Sequence, residues 1–272
     1  MLSFFIFNKI EWILGKSRDR GYKKLPFMSR RNLFDPESSS PFKLSRTKIE
    51  EFLECPRCFY LDVRLGVARP PWPPFTLNSA IDHLLKKEFD IHRANGEKHP
   101  LMKAYGIEAL PLKSEKIDEW RNKGIFFHHK ESNFLVWGRV DDVWVDEEGN
   151  LIIVDYKATN TSQEVTLDGE YKDKLKREVE IYQWLFRKNG FSVSEVAYFV
   201  YCNANTDREA FDGKLEFEVQ IIPYKGNDEW IEPTLLEIKK CLEKEEIPSA
   251  SPSCPYCRYR QQAMEKEKEF ES

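Results

Sequence analysis

Two Cys-x-x-Cys pairs constrain the fold of this 272-residue chain more than any other feature of its sequence. Cys55 and Cys58 form the first pair, Cys254 and Cys257 form the second, and proline follows the first cysteine of each. Two thiolates at this spacing can chelate one metal ion, and two pairs supply the four ligands of a tetrahedral site. The sequence therefore predicts a metal site that joins two distant segments of the chain.

The residues alone leave the occupant of this site open. Four sulfur ligands suit zinc or an iron–sulfur cluster equally. Disulfides are a weaker alternative, because the N-terminal residues do not fit the pattern of a secretory signal. Cys202 and Cys241 stand outside the paired pattern and are predicted to be buried packing residues.

A second pattern indicates a β-hairpin. Residues 146–150 have the composition of a turn, and they separate an apolar-rich strand over residues 135–145 from a β-branched strand over residues 151–156. With this turn, Asp141 is expected roughly opposite Tyr156. Asp141 would then lie close to both chain neighbours of Tyr156.

Those neighbours, Asp155 and Lys157, are two positions apart and so share one face of the strand. Charge at the end of an apolar strand is costly unless it is paired or used. A salt bridge at the strand end is the ordinary explanation. The functional explanation is that Asp141 and Asp155 hold a hard divalent cation while Lys157 positions or activates a water. That is the equipment of metal-assisted phosphodiester hydrolysis.

This longer pattern resembles the RecB-like branch of the PD-(D/E)XK nuclease superfamily, in which a Gly-x-x-Asp strand precedes a turn and an apolar strand ending in Asp-Tyr-Lys. The matching residues are Gly138, Asp141, Asp155, Tyr156 and Lys157. The resemblance implies that Asp141 and Asp155 bind Mg²⁺ or Mn²⁺. It also implies that the backbone carbonyl of Tyr156 is a further ligand and that Lys157 is the catalytic lysine.

The same resemblance, together with the order of helices and strands, implies an α/β fold. We expect a restriction-endonuclease-like core with a central mixed β-sheet flanked by helices, closed by the four-cysteine metal clamp. The chain resembles CRISPR-associated and AddB-type nuclease domains, in which such a clamp holds an iron–sulfur cluster. The resemblance therefore favours a 4Fe–4S cluster. The usual pattern of those relatives is one upstream and three downstream cysteines, so structural zinc remains the alternative.

Two helices are expected to complete the site. Relatives carry Gln and, four residues later, Tyr on a helix that follows the hairpin. A helical pattern over residues 175–189 supplies Tyr182, and the Gln position is then Glu178 on the same helix face. A carboxylate there can bind a second metal or carry acid–base chemistry, and it can equally repel phosphate. A register that uses Gln183 instead would place Arg187 at the Tyr position.

The other helix precedes the sheet, where RecB-like enzymes often place a metal-binding His. In this chain Asp82 falls on that position and His83 lies one residue later. Adjacent helical residues point about 100° apart, so only one of the two can face the metal. Asp82 is the preferred ligand, His83 is the alternative, and Glu88 is a remoter candidate.

The sequence also predicts how the chain is divided. Residues 1–28 form an amphipathic extension that docks on the domain or on a protein partner, and a peripheral membrane contact is a lesser option. Residues 29–44 read as a flexible linker, residues 45–262 as the nuclease domain, and residues 263–272 as a charged tail. A capping box at residues 47–50 is expected to open the first helix of the domain. No transmembrane segment is expected.

The net charge of −4 argues against a uniformly basic nucleic-acid-binding module, but a nuclease needs only a local basic face. The resemblance implies a cytoplasmic Mg²⁺- or Mn²⁺-dependent deoxyribonuclease, active on single strands or duplex ends, of the kind used in DNA repair. A non-catalytic nucleic-acid-binding or repair-scaffold protein with the same fold is the first alternative. The second is a zinc-ribbon interaction protein in which the hairpin pattern is accidental.

Overall fold

The computed structural model describes residues 32–71 and 73–272, and residues 33–272 form one compact unit. The predicted extension over residues 1–28 lies outside the described residues. In the described part of the chain the strands are β1 (Phe42–Ser45), β2 (Ala109–Pro111), β3 (Ile125–His129), β4 (Phe134–Gly138), β5 (Asp142–Asp146), β6 (Leu151–Thr159), β7 (Val196–Ala204) and β8 (Phe217–Lys225). The helices there are α1 (Arg46–Glu54), α2 (Pro56–Val63), α3 (Thr76–Asn95), α4 (Pro100–Ala104), α5 (Ile117–Asn122), α6 (Glu170–Lys188), α7 (Ile231–Leu242) and α8 (Pro255–Glu271).

The predicted central mixed sheet is present. Five strands lie in the order β2-β5-β6-β7-β8, with β6 parallel to β7 and the other neighbours antiparallel. Helix α6 connects β6 to β7, which is the crossover that a parallel pair requires. The first six residues of β6 are all buried, because the sheet is covered on both faces. This explains why β6 is a continuous apolar run rather than an alternating pattern.

A second, three-stranded sheet was not expected from the sequence. Its order is β1-β4-β3, with β1 parallel and β3 antiparallel to β4. The stretch over residues 135–145 was predicted as one strand, and that prediction is wrong. Gly138 ends β4 beside Ile125 of β3, whereas Asp142 begins β5 beside Val154 of β6. The short link over residues 139–141 therefore passes from one sheet to the other.

The hairpin itself is confirmed, since β5 and β6 pair antiparallel on either side of the predicted turn. The ladder pairs Asp142 with Val154. Its continuation places Asp141 opposite Asp155, one residue away from the partner expected from the sequence. The two carboxylates that the sequence singled out thus arrive at the same end of the hairpin.

Helix α1 begins before the predicted capping box at residues 47–50. Ser45 is its N-cap, and the Ser45 hydroxyl accepts a hydrogen bond from the backbone N–H of Lys48 at 3.3 Å. Because Ser45 also ends β1, the segment predicted as a linker up to residue 44 finishes inside a strand. At the other end, α8 continues through residue 271, in the segment predicted as a charged tail.

Apolar side chains cover both faces of the five-stranded sheet. On one face α6 packs together with α1 and α7, and α6 also contacts β3 and β4 of the smaller sheet. On the other face Phe89 of α3 is fully buried and stacks on Trp144 of β5, with 5.5 Å between ring centroids. Burying one such aromatic ring contributes roughly 1.5–3 kcal/mol. This packing fixes the strand ends at which the charged residues meet.

Among residues 32–71 and 73–272, no helix combines the length and the apolar character that a bilayer crossing needs.

Candidate active site

Asp141 lies in the link between the two sheets and is held by hydrogen bonds from two sides. Its Oδ2 accepts the backbone N–H of Tyr156 at 3.0 Å, and its Oδ1 accepts the ammonium of Lys86 at 3.1 Å. Burial by itself would raise the pKa of this carboxyl, but the charges of Lys86 and Lys157 hold the pKa of Asp141 below its ordinary value. Asp141 is therefore ionised and positioned beside Tyr156, inside β6, which continues to Thr159 rather than ending at Tyr156 as the sequence predicts.

Asp155 and Lys157 form an ion pair on one face of β6, as their spacing predicts. The Nζ of Lys157 lies 2.5 Å from Oδ2 of Asp155, whose side chain is only 2% exposed. Burial raises the pKa of Asp155 well above its ordinary value, and the negative charges of Glu178 and Asp141 raise it further against the opposing charge of Lys157. Asp155 is buried and directly pairs with one cation, Lys157, so a further cation bound beside it would be stabilised.

Lys157 faces three carboxylates. Burial alone would lower its pKa, but the charges of Asp155, Glu178 and Asp141 raise the pKa of Lys157 above its ordinary value. Its ammonium is consequently protonated at neutral pH. Lys157 can donate hydrogen bonds and supply positive charge, but it cannot act as a general base in this state.

Glu178, at the position where the resemblance predicts Gln, joins the site from α6. Its Oε1 lies 2.5 Å from Nη2 of Arg46 and accepts the hydroxyl of Tyr182 at 3.1 Å. Its Oε2 accepts the ammonium of Lys157 at 3.4 Å. Two cations therefore surround the carboxylate that the sequence comparison found unusual. Burial raises the pKa of Tyr182, and the charge of Glu178 raises it further, so the phenol stays protonated.

Gly138 leaves room for the ring of Tyr182. A Cβ atom at position 138 would lie 2.5 Å from Cε1 of Tyr182, well inside van der Waals contact. Any larger residue would push α6 or the ring away from β4. The glycine of the Gly-x-x-Asp pattern thus has a packing reason in this chain.

Asp82 is linked to the site by Lys86, which lies one helical turn later on α3 and contacts both Asp82 and Asp141. The ammonium of Lys86 lies 2.8 Å from Asp82 and 3.1 Å from Asp141, so it bridges the two carboxylates. Burial raises the pKa of Asp82, and the charge of Asp141 adds to the rise. His83 is exposed on the same helix. Glu88, the remoter candidate, instead pairs with His99 at 2.9 Å.

Asp142 was missed by the sequence reasoning and has a supporting role. It is completely buried, and its Oδ1 lies 2.5 Å from Arg93 and 2.8 Å from Arg121. Its Oδ2 accepts the hydroxyl of Tyr156 at 2.7 Å, which turns this side chain away from Asp155 and Lys157. Arg121 also donates to the backbone carbonyl of Asp141 at 3.0 Å. In the sequence, the only local indication of a buried acid here is that two aspartates, at positions 141 and 142, follow each other.

Lys86, Arg46 and Arg121 are further charged residues of the site that the sequence did not single out. The i, i+4 spacing of Asp82 and Lys86 is a signal that could have found Lys86. Arg46 and Arg121 carry no comparable local signal, because their partners lie on elements that only the fold brings near.

The four paired cysteines form one cluster, and every ligand sulfur lies within 4.8 Å of the others. Sγ of Cys58 lies 3.6 Å from that of Cys254 and 3.5 Å from that of Cys257, and Cys55 lies 3.9 Å from Cys257. A disulfide needs about 2.05 Å, so these are separate thiols. Four sulfur donors at such separations could hold a metal ion.

Both cysteine pairs have the same local structure. Cys55 and Cys254 are N-caps, the prolines that follow them occupy the first position of α2 and α8, and the second cysteine lies in the first helical turn. Burial raises the pKa of Cys55, but backbone N–H groups of Cys58 and Ser251 and the neighbouring thiols lower it to about 7 overall. Cys202 and Cys241 are buried elsewhere, as predicted.

Comparison with known proteins gives one family. The sequence profile described as the PD-(D/E)XK nuclease superfamily matches residues 43–262. No curated protein matches the chain at a significant level. A solved structure titled "Crystal structure of SSO0001" shares 16% identity with the chain, covering 76% of this chain and 79% of that one with a TM-score of 0.38.

Proposed function

Since the chain belongs to the PD-(D/E)XK nuclease superfamily, we propose that it is a metal-dependent nuclease that hydrolyses DNA phosphodiester bonds, on single strands or at duplex ends. The observation that carries the proposal is the meeting of Asp141, Asp155 and Lys157 at one end of the hairpin, with Asp155 almost fully buried. We further propose that it belongs to the RecB-like branch and acts in the cytoplasm, in DNA repair.

The donor set fits a hard divalent cation. Asp141, Asp155 and the backbone carbonyl of Tyr156 would hold Mg²⁺ or Mn²⁺, because carboxylate and carbonyl oxygens are the donors these ions prefer. Asp82 on α3 pairs with Lys86 in the structure and would become a fourth protein ligand only once that pair opens. When bound, such a cation polarises the scissile phosphate. His83 is the less favoured alternative to Asp82, since it is exposed on the same helix.

The protein's own residues then have separable tasks. The protonated Lys157 orients the attacking water and stabilises the charge that develops on the phosphate. Arg46 offsets the negative charge of Glu178, which would otherwise repel the substrate. Tyr182 donates its hydroxyl to Glu178 and fixes the carboxylate toward Lys157. Glu178 thus positions Lys157 in the role that we assign to it.

Two conservative variants test the proposal. Asp155→Asn and Lys157→Met should each reduce cleavage of end-labelled single-stranded and blunt duplex DNA by about 10²-fold or more in Mg²⁺ or Mn²⁺, the usual cost of removing one stabilising group. Asp118→Asn and Lys87→Met change exposed residues and should leave the rate unchanged. Equal rates for wild type and both site variants would favour the non-catalytic binding protein.

We also propose that the four cysteines bind one zinc ion rather than the 4Fe–4S cluster that the resemblance implies. In a tetrahedron with metal–sulfur bonds of about 2.3 Å, the sulfurs lie about 3.8 Å apart. The sulfur separations of 3.5, 3.6 and 3.9 Å support this arrangement. In a four-iron cluster each thiolate binds a different iron, which holds the sulfurs farther apart than one ion does.

Metal analysis decides between the two occupants. Protein purified without oxygen should be colourless and carry one zinc per chain. A brown protein with about four irons and acid-labile sulfide per chain would contradict the zinc proposal while leaving the four-cysteine site itself intact.

A further inference from the structure

The solvent-facing side of the three-stranded sheet carries two neighbouring aromatic rings. Phe126 on β3 and Trp137 on β4 are directly paired across the strands, with ring centroids 5.7 Å apart and ring planes within 14° of each other. Both side chains are half-buried, whereas their chain neighbours Ile125 and Val136 are buried on the opposite side. Strand alternation therefore presents the two rings outward together.

Lys43 on β1 adds a positive charge to these rings. Its ammonium lies 4.8 Å from the centroid of Phe126 and 4.9 Å from that of Trp137, within cation–π distance of both. The residue is exposed. We call Lys43, Phe126 and Trp137 the aromatic platform. The ammonium lies over both rings, so a base that stacks on this face would take its place and the ammonium would turn to the neighbouring phosphate. Two adjacent rings with such a cation form a surface suited to flat, anionic partners.

The ring of Trp137 lies close against Gly124. Gly124 has a positive φ of 96°, and a Cβ there would lie 3.2 Å from Cε3 of Trp137 and 2.6 Å from the carbonyl oxygen of Gly138. Glycine at this position thus allows the indole to lie against the chain. A ring that is already ordered loses little conformational entropy when a partner stacks on it.

The aromatic platform is joined to the candidate active site by two short connections. Trp137 precedes Asp141 by four residues, a span of at most roughly 14 Å. Lys43 precedes Arg46 by three residues, and Arg46 pairs with Glu178 beside Lys157. Gly138 faces Tyr182 of α6, so Trp137, one residue earlier, lies on the opposite face of the small sheet. A strand of nucleic acid with its phosphate at the site would therefore reach the platform by passing around the end of β4.

We propose that the aromatic platform stacks unpaired bases of the substrate next to the cleavage site, so that single-stranded nucleic acid is preferred over duplex. Only unpaired bases offer free faces to an aromatic ring, because duplex bases are stacked on each other. Base–aromatic stacking contributes about 1–3 kcal/mol per base and tolerates any sequence, while a lysine follows the phosphates. This inference rests on the proposed nuclease function and names the form of nucleic acid that it takes.

Equilibrium binding tests the platform without requiring cleavage. In the Asp155→Asn background, Trp137→Leu and Phe126→Leu should each weaken binding of fluorescent single-stranded oligothymidine about tenfold, as expected from the loss of one stacked base. Binding of a blunt duplex should change little. Trp137→Phe, which keeps an aromatic face, should retain most of the affinity. Phe211→Leu changes a 72% exposed ring elsewhere and serves as the control.

An oligonucleotide of abasic sugars separates stacking from phosphate contacts. It should bind the parent and the Trp137→Leu protein equally. The proposal would be overturned if Trp137→Leu lost as much affinity for duplex as for single strand, if Trp137→Phe lost as much affinity as Trp137→Leu, or if neither variant lost affinity.

Sedimentation provides another check on this face. If wild type is a dimer that Trp137→Leu converts to monomers, the face is a contact between copies of the chain instead. If the platform variants bind single strands more weakly but the wild-type protein cleaves no DNA, the proposed nuclease function is wrong while the stacking of bases on the platform is supported.

Discussion

At the scale of single residues, the site consists of alternating charges. Lys86 lies between Asp82 and Asp141, and Lys157 lies between Asp155 and Glu178. The acids of the hairpin could be predicted because a short motif holds them together along the chain. The spacing of Asp82 and Lys86 indicates that pair, but the contact of Lys86 with Asp141 could not be predicted, because it depends on the fold bringing α3 to the hairpin. The same is true of Arg46, which α1 brings to Glu178.

Lys86 should compete with a divalent cation for Asp82 and Asp141. A unit charge a few ångströms away in a partly exposed site is worth roughly 1–4 kcal/mol. Lys86→Met should therefore bind Mn²⁺ about tenfold more tightly, as measured by calorimetry or by electron paramagnetic resonance of free Mn²⁺. Lys87→Met, on the exposed side of the same helix, should bind as wild type does. Unchanged or weaker binding by Lys86→Met would show that Lys86 does not compete.

Gly138→Ala should destabilise the protein through its contact with Tyr182. The added methyl group would meet the ring at 2.5 Å, and overpacking of this kind costs about 1–3 kcal/mol. Urea unfolding of Gly138→Ala, Tyr182→Leu and the double variant measures the coupling between the two positions. The smaller leucine should relieve most of the cost of the alanine. Strict additivity would mean that the two residues do not clash.

At the scale of elements, the decisive event is the passage of the chain from β4 to β5. Residues 135–145 are apolar-rich although charged residues interrupt them, so they predict one strand. The break depends on buried Asp142, whose charge requires Arg93 from α3 and Arg121 from α5. No local pattern reports such a pairing, and for that reason the second sheet could not be foreseen, whereas the hairpin and α6 could.

The same network makes a prediction about pH. Partial burial alone would raise the pKa of Asp90, but hydrogen bonds from Arg93 and Arg121 lower it below its ordinary value. A carboxylate with a lowered folded-state pKa contributes stability above its unfolded pKa of about 4, and the contribution is lost as pH falls. Asp90→Asn should therefore be less stable than wild type at pH 7.

This difference between Asp90→Asn and wild type should shrink as the pH of the urea unfolding experiment falls through about 4. Asp118→Asn, an exposed change on α5, should match wild type throughout. A difference that is constant with pH would mean that Asp90 acts through packing rather than through its charge.

At the scale of the whole molecule, the cysteine cluster joins segments far apart in sequence. α2 begins at the first pair and α8 begins at the second, so the metal would fix α8 to the N-terminal part of the domain. The sequence predicted this connection from spacing alone. It did not predict the sulfur separations, which depend on how the two helix starts face each other.

Cys257→Ser should reduce metal content and lower the melting temperature by an amount on the order of 10 °C, because structural metal sites contribute several kcal/mol. Cys241→Ser changes a buried cysteine outside the cluster and should keep the full metal content. Native mass spectrometry and thermal unfolding provide the two measurements. Full metal content in Cys257→Ser would remove Cys257 from the ligand set.

A metal held by both pairs would also cross-link the chain at Cys58 and Cys254, so a pulling force applied outside the pairs would not stretch the segment between them. Tension applied outside the two pairs would pass through metal–sulfur bonds instead of through the β5–β6 ladder. An unfolding protease that pulls on either flank would detach the part of α8 after Cys257, or the segment containing β1, and would then meet a cross-link. Resistance to such degradation would depend on metal supply, and the hairpin with Asp141 and Asp155 would be the last part to be lost.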